Sequence, residues 1–143
     1  MQNPIDIIAG LGVVLVIAID RVEDAVALAD TLLEGDLPVA EITLRTAAAA
    51  QVRGTPRDAR PELCVGAGTI LDAVSLEKSI AAGARFGLAS GSDPEIVASA
   101  DRVGFPFYPG VMTPSDQRAA ARLGVKVVKF FPAGAAQARK TRL

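Results

Sequence analysis

Lys129 stands inside an apolar run, Val125-Lys126-Val127-Val128-Lys129-Phe130-Phe131-Pro132. A short stretch of β-branched and aromatic residues between Gly124 and Pro132 reads as a buried strand of a parallel sheet. Alternation puts Val127, Lys129 and Phe131 on one face and Lys126, Val128 and Phe130 on the other. Burial disfavours the charged form of an amine. A neutral amine is the nucleophile that forms a Schiff base with a carbonyl. A lysine snorkelling from a strand end to water satisfies the same pattern.

A second group of polar residues lies in Val39-Ala40-Glu41-Ile42-Thr43-Leu44-Arg45, where alternation sets Glu41, Thr43 and Arg45 on one face. A parallel strand covered on both sides is apolar throughout, so this face looks into a cavity, a barrel interior or its own ion pair. An ion pair of Glu41 with Arg45 is one reading. The other has Arg45 gripping a carboxylate bidentately and Glu41 acting as a general base. Val65-Gly66-Ala67-Gly68-Thr69 follows a third strand, read as Leu63 to Val65. Its glycines allow close backbone approach to a ligand, with Thr69 as a donor, although tight turns use the same residues. The third glycine of a dinucleotide fingerprint is missing, which weighs against a nucleotide-binding α/β protein. Gly91 and Pro109 follow the fourth and fifth strands. Sites of α/β proteins form at the carboxyl ends of strands, and all these residues fall near such ends.

These positions require a frame of alternating strands and helices. Gly12 to Ile19 reads as a first buried strand, with Asp20 and Glu23 as a capping pair for a helix ending at Gly35. Pro38 to Leu44, Leu63 to Val65, Ala84 to Leu88, Phe105 to Tyr108 and Val125 to Phe131 read as further strands. Helices are expected from Asp72 to Gly83, from Pro94 to Ala100, and from Thr113-Pro114 to Leu123. Alternation of this kind implies parallel strands with helical crossovers, in an open doubly wound sheet or a barrel. The stretch Gly54 to Pro61 breaks the pattern, and the tail from Gly134 has little amphipathic character.

Composition narrows the function. The chain has 143 residues, 50% of them hydrophobic, and a net charge of −1. That suits one domain, residues 1–143, with a divergent tail over 134–143. No nucleic-acid footprint is visible, and Arg139-Lys140-Thr141-Arg142 reads as a solvated tail. The lone Cys64 lies in an apolar run and reads as a buried hydrophobe, which fits a reducing cytoplasm. The apolar stretch Leu11 to Ile19 lacks a basic leader and is shorter than the ~20 residues a bilayer span takes. The expectation is therefore a cytoplasmic protein with neither signal peptide nor membrane contact. With no histidine in the chain, other side chains must carry any acid–base work.

Four motifs together resemble a known family. Glu41-Ile42-Thr43-Leu44-Arg45-Thr46, Val65-Gly66-Ala67-Gly68-Thr69, Tyr108-Pro109-Gly110-Val111-Met112-Thr113 and Val128-Lys129-Phe130-Phe131-Pro132-Ala133 closely resemble the 2-keto-3-deoxy-6-phosphogluconate (KDPG) and 4-hydroxy-2-oxoglutarate (KHG) aldolases. The resemblance implies a TIM (β/α)8 barrel, usually a homotrimer, and a class I aldolase using neither metal nor cofactor. It implies that Lys129 forms the Schiff base and that Glu41 shuttles protons. Arg45 and Thr69 would hold the carboxylate of a small keto acid, with Gly91 and Pro109 as further substrate contacts. The reaction implied is the pyruvate-forming cleavage of the Entner–Doudoroff route, or the matching cleavage of 4-hydroxy-2-oxoglutarate.

Departures accompany the likeness. Ala89-Ser90-Gly91 stands where the family usually reads Ser-Pro-Gly, and Gly35-Asp36 where a Gly-Gly pair is common. Gly134 replaces the acidic residue usually found there, and the resemblance stops at Ala133. About six β/α units are expected rather than eight, without the phosphate-binding loops, as in a truncated or frame-shifted chain. The alternative from another class is an inactive remnant serving as an interaction module.

Overall fold

The computed structural model describes residues 2–19, 21, 23–43 and 60–137. In chain order the elements are α1 (Pro4–Leu11), β1 (Leu15–Ile17), α2 (Asp24–Glu34), β2 (Val39–Thr43) and β3 (Cys64–Gly68). They continue with α3 (Ala73–Ala81), β4 (Phe86–Leu88), α4 (Pro94–Arg102), β5 (Phe107–Tyr108), β6 (Gly110–Val111), α5 (Pro114–Arg122), β7 (Lys129–Phe130) and α6 (Ala133–Gln137).

The described strands pair in parallel, each with its successor in the chain, from β1 to β5, and β6 pairs with β7. Pro109 has no N–H to give the ladder, so it divides one strand into β5 and β6. Its carbonyl still accepts the Lys129 N–H at 2.9 Å, which carries the sheet across to β7. Consecutive strand order excludes the order reversal of a doubly wound sheet. Curvature completes the case for a barrel. Four strand spacings of ~4.8 Å would hold β2 and β7 ~19 Å apart in a flat sheet, beyond the combined reach of a glutamate and a lysine. Yet Lys129 Nζ lies 3.2 Å from Glu41 Oε1. The sheet must curl around a concave face. This is a TIM-barrel-type fold.

Helices cover the convex face. Ala25, Ala29 and Leu32 of α2 pack on Ala40, Ile42 and Val65. Leu76 of α3 and Ile96 and Ala100 of α4 pack on Ala67 and Ile70. The concave face has its own core of Val39, Cys64, Phe86, Leu88 and Tyr108, against which Ile5, Ile7, Ile8 and Leu11 of α1 are laid. Val39, Cys64 and Phe86 begin their strands, so α1 covers the amino-terminal end of the concave face. The Arg85 guanidinium ties it there by donating to the Gln2 carbonyl at 2.7 Å.

Helix starts follow the sequence closely. Asp72 caps α3 and exchanges hydrogen bonds with Ser75, Asp93 caps α4 ahead of Pro94, and Thr113 caps α5 in a reciprocal pair with Asp116. Gly83 and Gly124, with φ of 80° and 81°, end the α3 and α5 regions in a backbone conformation that suits glycine. The capping expected of Asp20 and the irregular stretch from Gly54 lie outside the described residues, Arg60 and Pro61 excepted. The helix expected after the first strand begins at Asp24, and the Glu23 side chain makes no cap.

Three expectations are corrected. The first strand is short and not buried: Gly12 is the left-handed cap of α1, and Leu15 and Val16 are 43% and 57% exposed at the sheet edge. The third strand runs on through Gly66-Ala67-Gly68, so these residues are strand and not turn. The last strand is confined to Lys129 and Phe130, and Phe130 is 52% exposed because β7 forms the other edge. α1 was not foreseen, although Asn3-Pro4 and Gly12 are ordinary start and stop signals.

The two capping carboxylates make an acid-stability prediction. Asp72 is held below its ordinary value chiefly by the Ser75 N–H, and Asp116 chiefly by the Thr113 N–H. A depressed carboxyl contributes stability that is fully present above the unfolded value, near pH ~4, and lost as pH falls through the lower folded value. Melting temperature measured between pH 7 and 2 is expected to fall in that acid window. It should fall less steeply in Asp72→Asn/Asp116→Asn. Parallel curves for the two proteins would refute the assignment.

Candidate active site

Glu41 is in the middle of β2, facing into the concave side, and only 2% of its side chain is exposed. A buried carboxylate alone would be costly. Its partner comes from the far edge of the sheet: Lys129 Nζ donates to Oε1 at 3.2 Å and to Oε2 at 3.4 Å. Lys129 is therefore not an amine stranded among apolar groups, as its sequence setting suggested. It is 24% exposed and reaches from the β7 edge across the curl to an anion. Its Nζ also lies 5.3 Å from the Phe131 ring centroid, within cation–π range. Alternation had already placed Phe131 on this face.

The other candidates surround this pair unequally. Thr69 follows β3 immediately, with φ 60°, a conformation that is an outlier for a β-branched residue. Such strain is found at functional sites, and here it falls on a residue singled out from sequence. Gly91 is exposed, and its carbonyl accepts the Gly110 N–H at 3.0 Å. It lines a cavity of about 240 Å³ shared with Ser90, Met112 and Phe131. Pro109 is fully buried, and its described contact is the carbonyl that holds the Lys129 backbone. Arg45 lies outside the described residues. Thr43, the third polar residue of its strand face, is buried and its hydroxyl donates to the Ile17 carbonyl at 3.4 Å.

The glycines of β3 serve a purpose that sequence reasoning missed. A Cβ on Gly66 would run into the Phe86 ring, and one on Gly68 would overlap Glu41 Oε1. They make room for neighbouring side chains. Gly110 likewise lets the end of β4 close in, since a Cβ there would meet the Ser90 backbone.

Remaining reactive groups stand apart. Cys64 is buried on the concave face, and burial pushes its thiol up, with Arg85 pulling it partly back. It remains a thiol, as the sequence suggested. The buried Tyr108 phenol is also pushed up, first by burial and then by Cys64 and Asp6. The larger cavity, about 480 Å³, lies among Asn3, Asp101, Phe105, Tyr108 and Lys126, and neither Glu41 nor Lys129 lines it. The candidate site is the ion pair and not this hollow. Among the described residues no cluster of His, Cys, Asp or Glu could hold a metal, and no helix is long and apolar enough to cross a membrane.

Barrel curvature and a lysine–glutamate pair on the concave face define the class, an α/β barrel whose inner face sets an amine beside a buried carboxylate. The family model for KDPG and KHG aldolases matches residues 5–140, reaching past Ala133, and the chain belongs to that family. It is 40% identical to a 2-dehydro-3-deoxy-phosphogluconate aldolase of Haemophilus influenzae, over 94% of this chain and 63% of that protein. It is 37% identical to a KHG/KDPG aldolase of Escherichia coli, over 86% of this chain and 58% of the relative. The chain thus spans about three-fifths of these curated relatives. The crystal structure of a KDPG aldolase from Legionella pneumophila, which holds pyruvate as a covalent carbinolamine, superposes with TM-score 0.83 at 35% identity. That match covers 87% of this chain and 61% of the other.

Proposed function

We propose that the chain is a class I aldolase. It cleaves 2-dehydro-3-deoxy-6-phosphogluconate to pyruvate and glyceraldehyde 3-phosphate, 4-hydroxy-2-oxoglutarate to pyruvate and glyoxylate, or both. The observation that carries this reading is the amine of Lys129 set 3.2 Å from the buried Glu41 carboxylate. The amine attacks the keto carbon, and the carbinolamine loses water to give an iminium. Removal of the proton from the C4 hydroxyl breaks the C3–C4 bond, and the electron pair passes into the iminium as an enamine. Protonation at C3 and hydrolysis release pyruvate and regenerate the amine.

Glu41 moves these protons through water, a role worth ~10²–10⁴-fold. Arg45 and Thr69 hold the carboxylate, Gly91 lines the approach, and Pro109 fixes the Lys129 backbone beside it. The iminium is the electron sink, so the scheme needs neither metal nor cofactor. Assembly as a homotrimer and a cytoplasmic setting accompany the proposal.

Pyruvate release, followed with lactate dehydrogenase and NADH, tests it. Folded protein supplied with either substrate is expected to form pyruvate and aldehyde in equal amounts. No pyruvate from either would overturn the reading.

A further inference from the structure

We infer that Gly68 is a positioning residue, one that fixes the Glu41 carboxylate against Lys129 by leaving it a place to lie. The catalytic part of this inference rests on the proposed aldolase reading. Register pairs Glu41 with Gly66, and Thr43 with Gly68. The space above Gly66 is already taken by the Phe86 ring, reaching over from β4. Glu41 therefore cannot lie straight across β3. Its carboxylate turns to the next inward position, one pleat nearer the carboxyl end, over Gly68. A Cβ on Gly68 would overlap Oε1 and stand 3.0 Å from both Cγ and Cδ.

Conformational freedom does not account for this glycine. Gly68 is absent from the glycines of positive φ, and it sits within a fully buried strand, where glycine weakens the ladder and has no side chain to pack. What it offers is vacant volume. Two successive inward positions of β3 thus receive side chains from opposite neighbours, Phe86 from β4 and Glu41 from β2. The first blocks one direction for the carboxylate and the second opens the other, toward Lys129.

Gly68→Ala, Glu41→Ala and the double variant test this through three readouts. These are melting temperature, exchange of pyruvate methyl protons in D2O, and borohydride trapping of pyruvate. Gly68→Ala is expected to lower the melting temperature and to slow methyl exchange ~10²-fold or more, while trapping persists. In the Glu41→Ala background the same substitution should change none of the three, because no carboxylate remains to collide with the methyl group. Equal penalties in both backgrounds, or a fall of trapping in step with exchange, would show a merely structural glycine and overturn the inference. So would wild-type exchange and melting in Gly68→Ala. Should Gly68→Ala fail to fold, a folded double variant supports the inference and an unfolded one refutes it. Absence of trapping in every protein, wild type included, would sink the aldolase reading, and the melting temperatures would still decide the steric coupling.

Discussion

Lys129→Arg is expected to abolish covalent capture of pyruvate and all pyruvate-forming cleavage, while the protein stays folded. Arginine keeps a cation opposite Glu41, so the buried carboxylate is not left unpaired. Its guanidinium stays protonated at any accessible pH and cannot form the imine. In the wild type, borohydride added with pyruvate should label Lys129 alone among the lysines. Lys78 lies on α3, and Lys126 precedes β7 on the opposite face of the run. Lys140 lies outside the described residues. Peptide mass mapping of the reduced adduct decides the matter. Label on one of these lysines in folded protein, or label surviving in Lys129→Arg, removes Lys129 from the mechanism.

Glu41→Gln is expected to slow cleavage ~10²–10⁴-fold, the usual range for one acid–base group, and to leave pyruvate trapping measurable. Glutamine has the same shape, fills the same place above Gly68 and can still accept from Lys129 through its amide oxygen. Packing is thus preserved, and only the capacity to take up and return a proton is lost. Steady-state cleavage and borohydride labelling, measured on one preparation, separate the two effects. Equal cleavage by Glu41→Gln and wild type would remove Glu41 from proton transfer.

The sequence revealed this site unevenly, for physical reasons. Glu41 was legible because a polar residue inside a buried parallel strand is anomalous, and its burial in β2 bears out that reading. Lys129 was legible for the same reason, but its partner was not. Alternation tells which face a residue takes, whereas the contact with Glu41 depends on how far the sheet curls, a property of the whole set of strands. The local ion pair weighed for Glu41 was with Arg45, four positions away, while the described partner lies across the barrel. Glycines misled in a different way. Gly66 and Gly68 look like a turn because glycine is common in turns, and only the neighbouring Phe86 and Glu41 side chains disclose why a strand needs them. Helix caps are local, and so Asp72 and Thr113 were read correctly. Exposure at β1 and β7 was misjudged because apolar runs carry no information about which strands form the sheet's edges.

The placement of α1 has a consequence for the order of events. Its isoleucines and Leu11 stop the amino-terminal end of the concave face, which closes that end behind Lys129 and Glu41. On the proposed chemistry, pyruvate stays tethered to the Lys129 amine after the C3–C4 bond breaks, while the aldehyde is held by no bond and leaves away from that closed end. Departure is therefore sequential: the untethered aldehyde goes first, and pyruvate follows once water has hydrolysed the imine. Run backwards, the same geometry makes pyruvate the first reactant to bind and the aldehyde the second. A queue is built into a site closed behind its tether.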